Sequence, residues 1–135
     1  MADPELSEAL MHASRALRRR TWSSLEDWDL SPHQARALRT VCGHDGARLS
    51  EVAAHLRIAP RSATEVVDSL EARGLVARQP DPDDRRAVLV VATDEGRTVH
   101  AAADELRGAA AEEFFSRLGA SEREQLASLL RRLVD

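Results

Sequence analysis

Two places in this chain hold arginines where side-chain chemistry can be read directly. The first opens at Pro60, where Arg61, Ser62, Thr64 and Glu65 follow at the start of a helical pattern. The second is Asp84-Arg85-Arg86, closing the polar run Pro80-Asp81-Pro82-Asp83. A guanidinium is a planar fork of donors that pairs with a guanine edge or a phosphate, and it can enter a minor groove narrow enough to enhance the negative potential. The Ser62 hydroxyl can bond phosphate, and a helix N-terminus favours a phosphate by itself. The chemistry these residues suggest is recognition of duplex DNA, with Arg86 the first choice for the minor groove and Arg85 next.

The surrounding elements place those residues. Leu49–Leu56 reads as a short helix with Ser50 as its cap, burying Val52, Ala53 and Leu56, and Arg57-Ile58-Ala59 is a turn. The next helix opens at Pro60, buries Ala63, Val67 and Leu70, and ends at Gly74, a residue suited to a left-handed terminator. Leu75–Arg78 and Ala87–Thr93 are the two convincing strands, and the proline and aspartate residues between them read as a hairpin loop that cannot continue a ladder. This order is a winged helix-turn-helix, with one helix for a major groove and an arginine-tipped hairpin.

Outside that reader the pattern is helical. A first helix spans about Pro4 to about Trp28, with a break near Thr21–Ser24 and the stripe Leu6, Leu10, Ala13, Leu17. Ser31, Pro32 and Gln34 form a capping box opening the next helix, which buries Ala35, Leu38 and Val41. Thr93 or Asp94 caps a long helix to about Leu118. The spacing of Ser121 and Glu124 opens a last helix carrying Leu126, Leu129, Leu130 and Leu133. The expected fold is mainly α with a small β-hairpin wing, a single domain of 135 residues. Residues 31–93 form the reader, and 1–28 with 94–135 form flanking dimerisation helices. The leucines Leu6, Leu10, Leu17, Leu126, Leu129, Leu130 and Leu133 make a stripe that a symmetric copy can cover.

Composition narrows the function classes. Apolar residues make up 43% and charged residues 31%, ordinary values for a folded domain. The net charge is −4, although every Lys/Arg-class residue is arginine, so the case for a polyanionic partner rests on placement and not on bulk charge. No apolar run is long enough to span a bilayer and the N-terminus lacks signal-peptide features, which predicts a cytoplasmic protein without a membrane partner. Enzymatic chemistry has no legible nucleophile with a base, paired carboxylates or phosphate loop, and no pattern asks for a cofactor. Asp81, Asp83 and Asp84 lack the spacing of a calcium loop, and the five histidines are scattered, so no metal is expected. Cys42 reads as a small core thiol more than as a redox switch.

The run Asp81-Pro82-Asp83-Asp84-Arg85-Arg86-Ala87-Val88-Leu89-Val90, with Leu49-Ser50-Glu51-Val52-Ala53, Val67–Val76 and Thr93-Asp94-Glu95-Gly96, resembles the MarR family of transcriptional regulators, over about Leu6 to Leu133. The resemblance implies a homodimer joined through its first, fifth and sixth helices. It also implies a pseudo-palindromic DNA operator and a ligand-responsive repressor, with a small-molecule effector between dimer region and reader. It implies that Pro60, Arg61, Ser62, Thr64 and Glu65 face the major groove and that Asp84, Arg85 and Arg86 form the wing contact. Two departures stand out. Glu65 occupies a position where many members are basic, and Val90-Val91-Ala92-Thr93 replaces the family's Val-x-Leu-Thr. Glu65 and the acidic net charge favour, as the alternative, a helical partner-binding module that retains the winged fold without specific DNA binding.

Overall fold

Ser31 shows how local chemistry begins an element here. Its hydroxyl accepts from the Gln34 amide at 3.1 Å while the Gln34 side chain accepts from the Ser31 amide at 2.9 Å, and Pro32 takes the first helical position. In the computed structural model, which describes residues 4–134, this box opens α2 (Pro32–Gly43). The complete order is α1 (Pro4–Ser23), a single 3-10 turn (Glu26–Trp28), α2, β1 (Ala47–Arg48), α3 (Leu49–Leu56), α4 (Pro60–Ala72), β2 (Val76–Asp81), β3 (Asp84–Ala92), α5 (Asp94–Phe115) and α6 (Ala120–Val134). The fold is mainly helical, as expected, with one small antiparallel sheet of order β1-β3-β2.

Several expectations are corrected. The first helix stops at Ser23, within the expected break, where Ser23 and Ser24 hydroxyls turn back onto the Arg20 and Thr21 carbonyls and compete with the helical ladder, and only the 3-10 turn carries the chain on to Trp28. Ser50 does not cap α3. The N-cap is Arg48, whose amide donates to the Glu51 carboxylate at 3.1 Å, because Arg48 is already fixed in β1 opposite Leu89. That two-residue strand was not anticipated, being too short to show a period. Gly46 at φ 112° makes the turn into it. The long helix ends at Phe115 rather than near Leu118. The last helix starts at Ala120, two residues earlier than the Ser121 cap implies, since Glu122 takes the Gly119 amide at 2.8 Å.

The hairpin also departs from expectation. Pro80 and Asp81 do continue the ladder, Pro80 opposite Val88 and Asp81 opposite Asp84, leaving Pro82-Asp83 as the turn. Pro80 is tolerated because β2 is an edge strand and the register breaks beside it. Arg85, Arg86 and Ala87 fall within that break, bulged between two paired positions.

The chain divides into two compact units. The unit from Leu25 to Glu105 owns the whole buried core, including Leu25, Leu38, Val41, Val52, Val67, Leu70, Leu75, Val76 and Val90, each at most 2% exposed. Thr93 closes this unit at the start of α5. Its hydroxyl donates to the Gly74 carbonyl at 2.6 Å and accepts from the Gly96 amide at 3.0 Å, while its own amide donates to the Leu75 carbonyl at 3.1 Å. Gly96 lies so near that carbonyl that a Cβ built on it would stand 1.9 Å from the oxygen.

The other unit comprises residues up to Ser24 and from Leu106 onward. None of its described residues is buried. Its leucines instead border an apolar groove of about 760 Å³.

Candidate nucleic-acid interface

Helix α4 buries Ala63, Val67 and Leu70 and turns its other face outward. Its first turn is poorly capped. Ala59 offers no side-chain acceptor and Pro60 has no amide hydrogen, so the helix's own residues leave the Arg61 and Ser62 amides open, a geometry that suits an anion. Pro60, Arg61 and Glu65 are exposed, whereas Ser62 and Thr64 are half-buried. The Thr64 hydroxyl donates to the Pro60 carbonyl at 3.0 Å, so toward a base it has only lone pairs to give.

What holds α4 in place was missed in the sequence. Gln34 donates to the Ser69 hydroxyl at 3.0 Å, tying α2 to α4. Arg73 donates to the carbonyls of Asp29 at 2.7 Å and Trp28 at 2.9 Å, pinning the far end of α4. From β2, Arg78 reaches Asp68 at 2.6 Å and Glu71 at 2.7 Å. That arginine occupies two of the acids on α4 and leaves Glu65 as its exposed carboxylate without such a partner. Residues 29 and 73, or 68 and 78, carry no local pattern that couples them.

The wing is anchored from its base. Asp81 is 6% exposed, the one buried charged residue among those described. Its carboxylate accepts the Asp83 amide at 2.9 Å, and Arg48 Nε and Nη2 at 3.0 and 2.7 Å. The Asp83 amide first, and the Arg48 guanidinium next, hold the Asp81 carboxyl below the usual carboxylate range. Asp81 thus serves β1 and the turn. Asp84 accepts the Arg86 amide at 3.0 Å and so shapes the backbone, making no ion pair with either neighbouring arginine. The Arg85 and Arg86 side chains are exposed. Among the described residues, no three His, Cys, Asp or Glu side chains are grouped to hold a metal ion.

The seven stripe leucines of the sequence come together. Leu6, Leu10, Leu17, Leu126, Leu129, Leu130 and Leu133 line one groove, joined by Phe114 and Phe115. Leu133 is 71% exposed and Leu129 55%. Cys42 is half-buried against the core of the other unit. Burial raises its thiol pKa, an effect only partly offset by Arg97. No helix among the described residues is long and apolar enough to cross a membrane.

Comparison with known proteins assigns the family. Residues 28–87 match the model of the MarR family. An HTH-type transcriptional regulator of Mycobacterium bovis is 37% identical over 134 residues, covering 97% of this chain and 91% of the relative. Among solved structures, CouR from Rhodococcus jostii bound to p-coumaroyl-CoA superposes with a TM-score of 0.80 at 27% identity, covering 96% of this chain and 92% of that one. BpsR of Bordetella bronchiseptica, whose DNA binding is regulated by 6-hydroxynicotinic acid, gives a TM-score of 0.77 at 26% identity, with the same coverage. With its helix-turn-helix and wing in the order that family shares, and a relative this similar across nearly the whole chain, the protein belongs to the MarR family of transcriptional regulators.

Proposed function

We propose that this regulator acts as a homodimer on a pseudo-palindromic DNA operator, as a ligand-responsive repressor. The observation that carries the reading is the exposed, uncapped first turn of α4, with Arg61 at its surface, in the same unit as the wing arginines. Arg61 reads a base edge, Ser62 bonds phosphate, Thr64 accepts from a base, and Pro60 and Glu65 border the contact. Arg86 enters the minor groove, Arg85 lies beside it, and Asp84 fixes the backbone that presents them. Dimerisation supplies the second reader and covers the leucine groove; each leucine buried contributes roughly 1.5–3 kcal/mol before costs. CouR and BpsR support a small-molecule effector by likeness. The engagement of Asp68 and Glu71 by Arg78 weighs against the partner-binding alternative, because it reduces the acidity of the α4 surface.

The test is a genome-wide footprint followed by titration of the recovered operator. Arg61→Ala should weaken that operator by about 1–3 kcal/mol and random DNA far less. Arg86→Ala should lessen any preference for A·T-rich flanks. Equal losses on operator and random DNA would reduce Arg61 to a phosphate contact. Salt-independent failure to bind any DNA would favour the partner-binding module.

A further inference from the structure

The outward face of α4 carries one donor side chain and one acceptor side chain that the fold leaves free. Arg61 and Glu65 stand one helical turn apart on the side opposite Ala63, Val67 and Leu70, and both are exposed. Although four residues apart, they form no ion pair with each other. The other acids of that helix are committed, since Arg78 from β2 holds Asp68 at 2.6 Å and Glu71 at 2.7 Å. The Thr64 hydroxyl has given its hydrogen to the Pro60 carbonyl at 3.0 Å, so beside Glu65 it adds lone pairs alone. Among the described residues no cation or donor satisfies the Glu65 carboxylate.

A carboxylate facing duplex DNA meets phosphates and a groove floor dense with acceptors, and it is favoured only where a base offers it a hydrogen. In the major groove two bases do, cytosine through N4 and adenine through N6. Adenine sets its N7 lone pair beside N6 and repels a second acceptor, whereas cytosine presents its amino group with no acceptor of its own alongside. We infer that Glu65 is a specificity-determining residue, accepting from the N4 amino group of a cytosine within about two base pairs of the base that Arg61 contacts. Cβ atoms one turn apart lie ~5–6 Å from each other and successive bases rise ~3.4 Å, which sets that spacing. The acid also selects by repulsion, because any other base at that position leaves an unpaired charge in the groove. This role rests on the recognition-helix reading above, and gives Glu65 a base of its own where that reading leaves it at the border of the contact.

The test is selection from a random-sequence duplex library by the full chain, followed by titration of the enriched duplex and its single-base variants at fixed salt. The parent should enrich a cytosine at one position of each half-site, and replacing that cytosine should weaken binding at least about tenfold. Glu65→Gln removes the charge at nearly constant shape. It should raise adenine to at least the level of cytosine at that position, since an amide bonds N6 and N7 together, and it should bind random duplex more tightly than the parent. Glu105→Gln, which removes the same charge from an exposed site on α5, should change neither. The inference is overturned if Glu65→Gln keeps the parent's cytosine preference, or if it relaxes the base contacted by Arg61 instead, which would make Glu65 a support for that arginine. An enriched motif indifferent to Glu65 strikes the cytosine contact and leaves the DNA-binding reading standing, whereas enrichment of no motif strikes both.

Discussion

The two units of this chain bury their apolar residues in opposite ways. The unit from Leu25 to Glu105 encloses leucines and valines at 2% exposure or less, drawn from α2, α3, α4 and the sheet. The unit made of α1, the second half of α5 and α6 is richer in leucine for its size yet buries none of its described residues. A protein does not keep a groove lined by seven leucines and two phenylalanines in water without cost. The contrast teaches that the reader completes its core within one chain, while the other unit leaves its apolar face open. A second copy is the occupant we propose for that groove.

That contrast can be broken at several points. The largest effect is expected from Leu126→Asp with Leu130→Asp, which puts two charges into the groove. Light scattering should show a dimer for the parent and a monomer for the double variant at micromolar concentration, and an unchanged mass would remove α6 from the interface. Next is Leu38→Ala in the reader, which should cost about 2–5 kcal/mol because it empties a packed core. Chemical denaturation should show that loss at every protein concentration, whereas the unfolding midpoint of the parent should rise with concentration if a second chain covers the groove. A loss that vanished at high concentration would mean that the reader is not independently stable.

Gly96→Ala should cost roughly 1–3 kcal/mol, since the new methyl meets the Leu75 carbonyl and the backbone must give way. A thermal melt matching the parent would show that the close approach of α5 to the Leu75 carbonyl relaxes freely. The smallest effect concerns Asp81. Its folded-state pKa is depressed, so its contribution to stability is present above the unfolded carboxylate value and is lost as pH falls through about 4 and lower. Asp81→Asn should therefore be less stable than the parent at pH 7, with the gap closing toward pH 3. A gap that stayed constant with pH would assign the loss to packing instead of charge.

Some features were legible because they are written in neighbouring residues. The Ser31–Gln34 box, Pro60 at a helix start, Gly74 past a helix end and Thr93 before α5 each work within a few positions, and each formed as read. The leucine spacing likewise predicted one shared surface. Errors gathered where a distant residue intervened. Ser50 lost the cap because Arg48 pairs with Leu89 across the sheet. The wing turn shrank to Pro82-Asp83 because edge position and a broken register admit Pro80 to the ladder. Asp84 likewise accepts the Arg86 amide within its own loop and makes no ion pair with either wing arginine.

The sequence by itself determined the order of the helices and of the two wing strands, the residues on each helix face and the family, since periodicity, caps and motif depend on near neighbours along the chain. Only the tertiary structure decided what fixes the recognition helix and the wing. Arg73 reaching Trp28 and Asp29, Arg78 reaching Asp68 and Glu71, and Arg48 reaching Asp81 join positions 7 to 45 residues apart. A long flexible guanidinium can choose among many acceptors, and which carboxylate or carbonyl it meets is set by the packing of the elements that carry it.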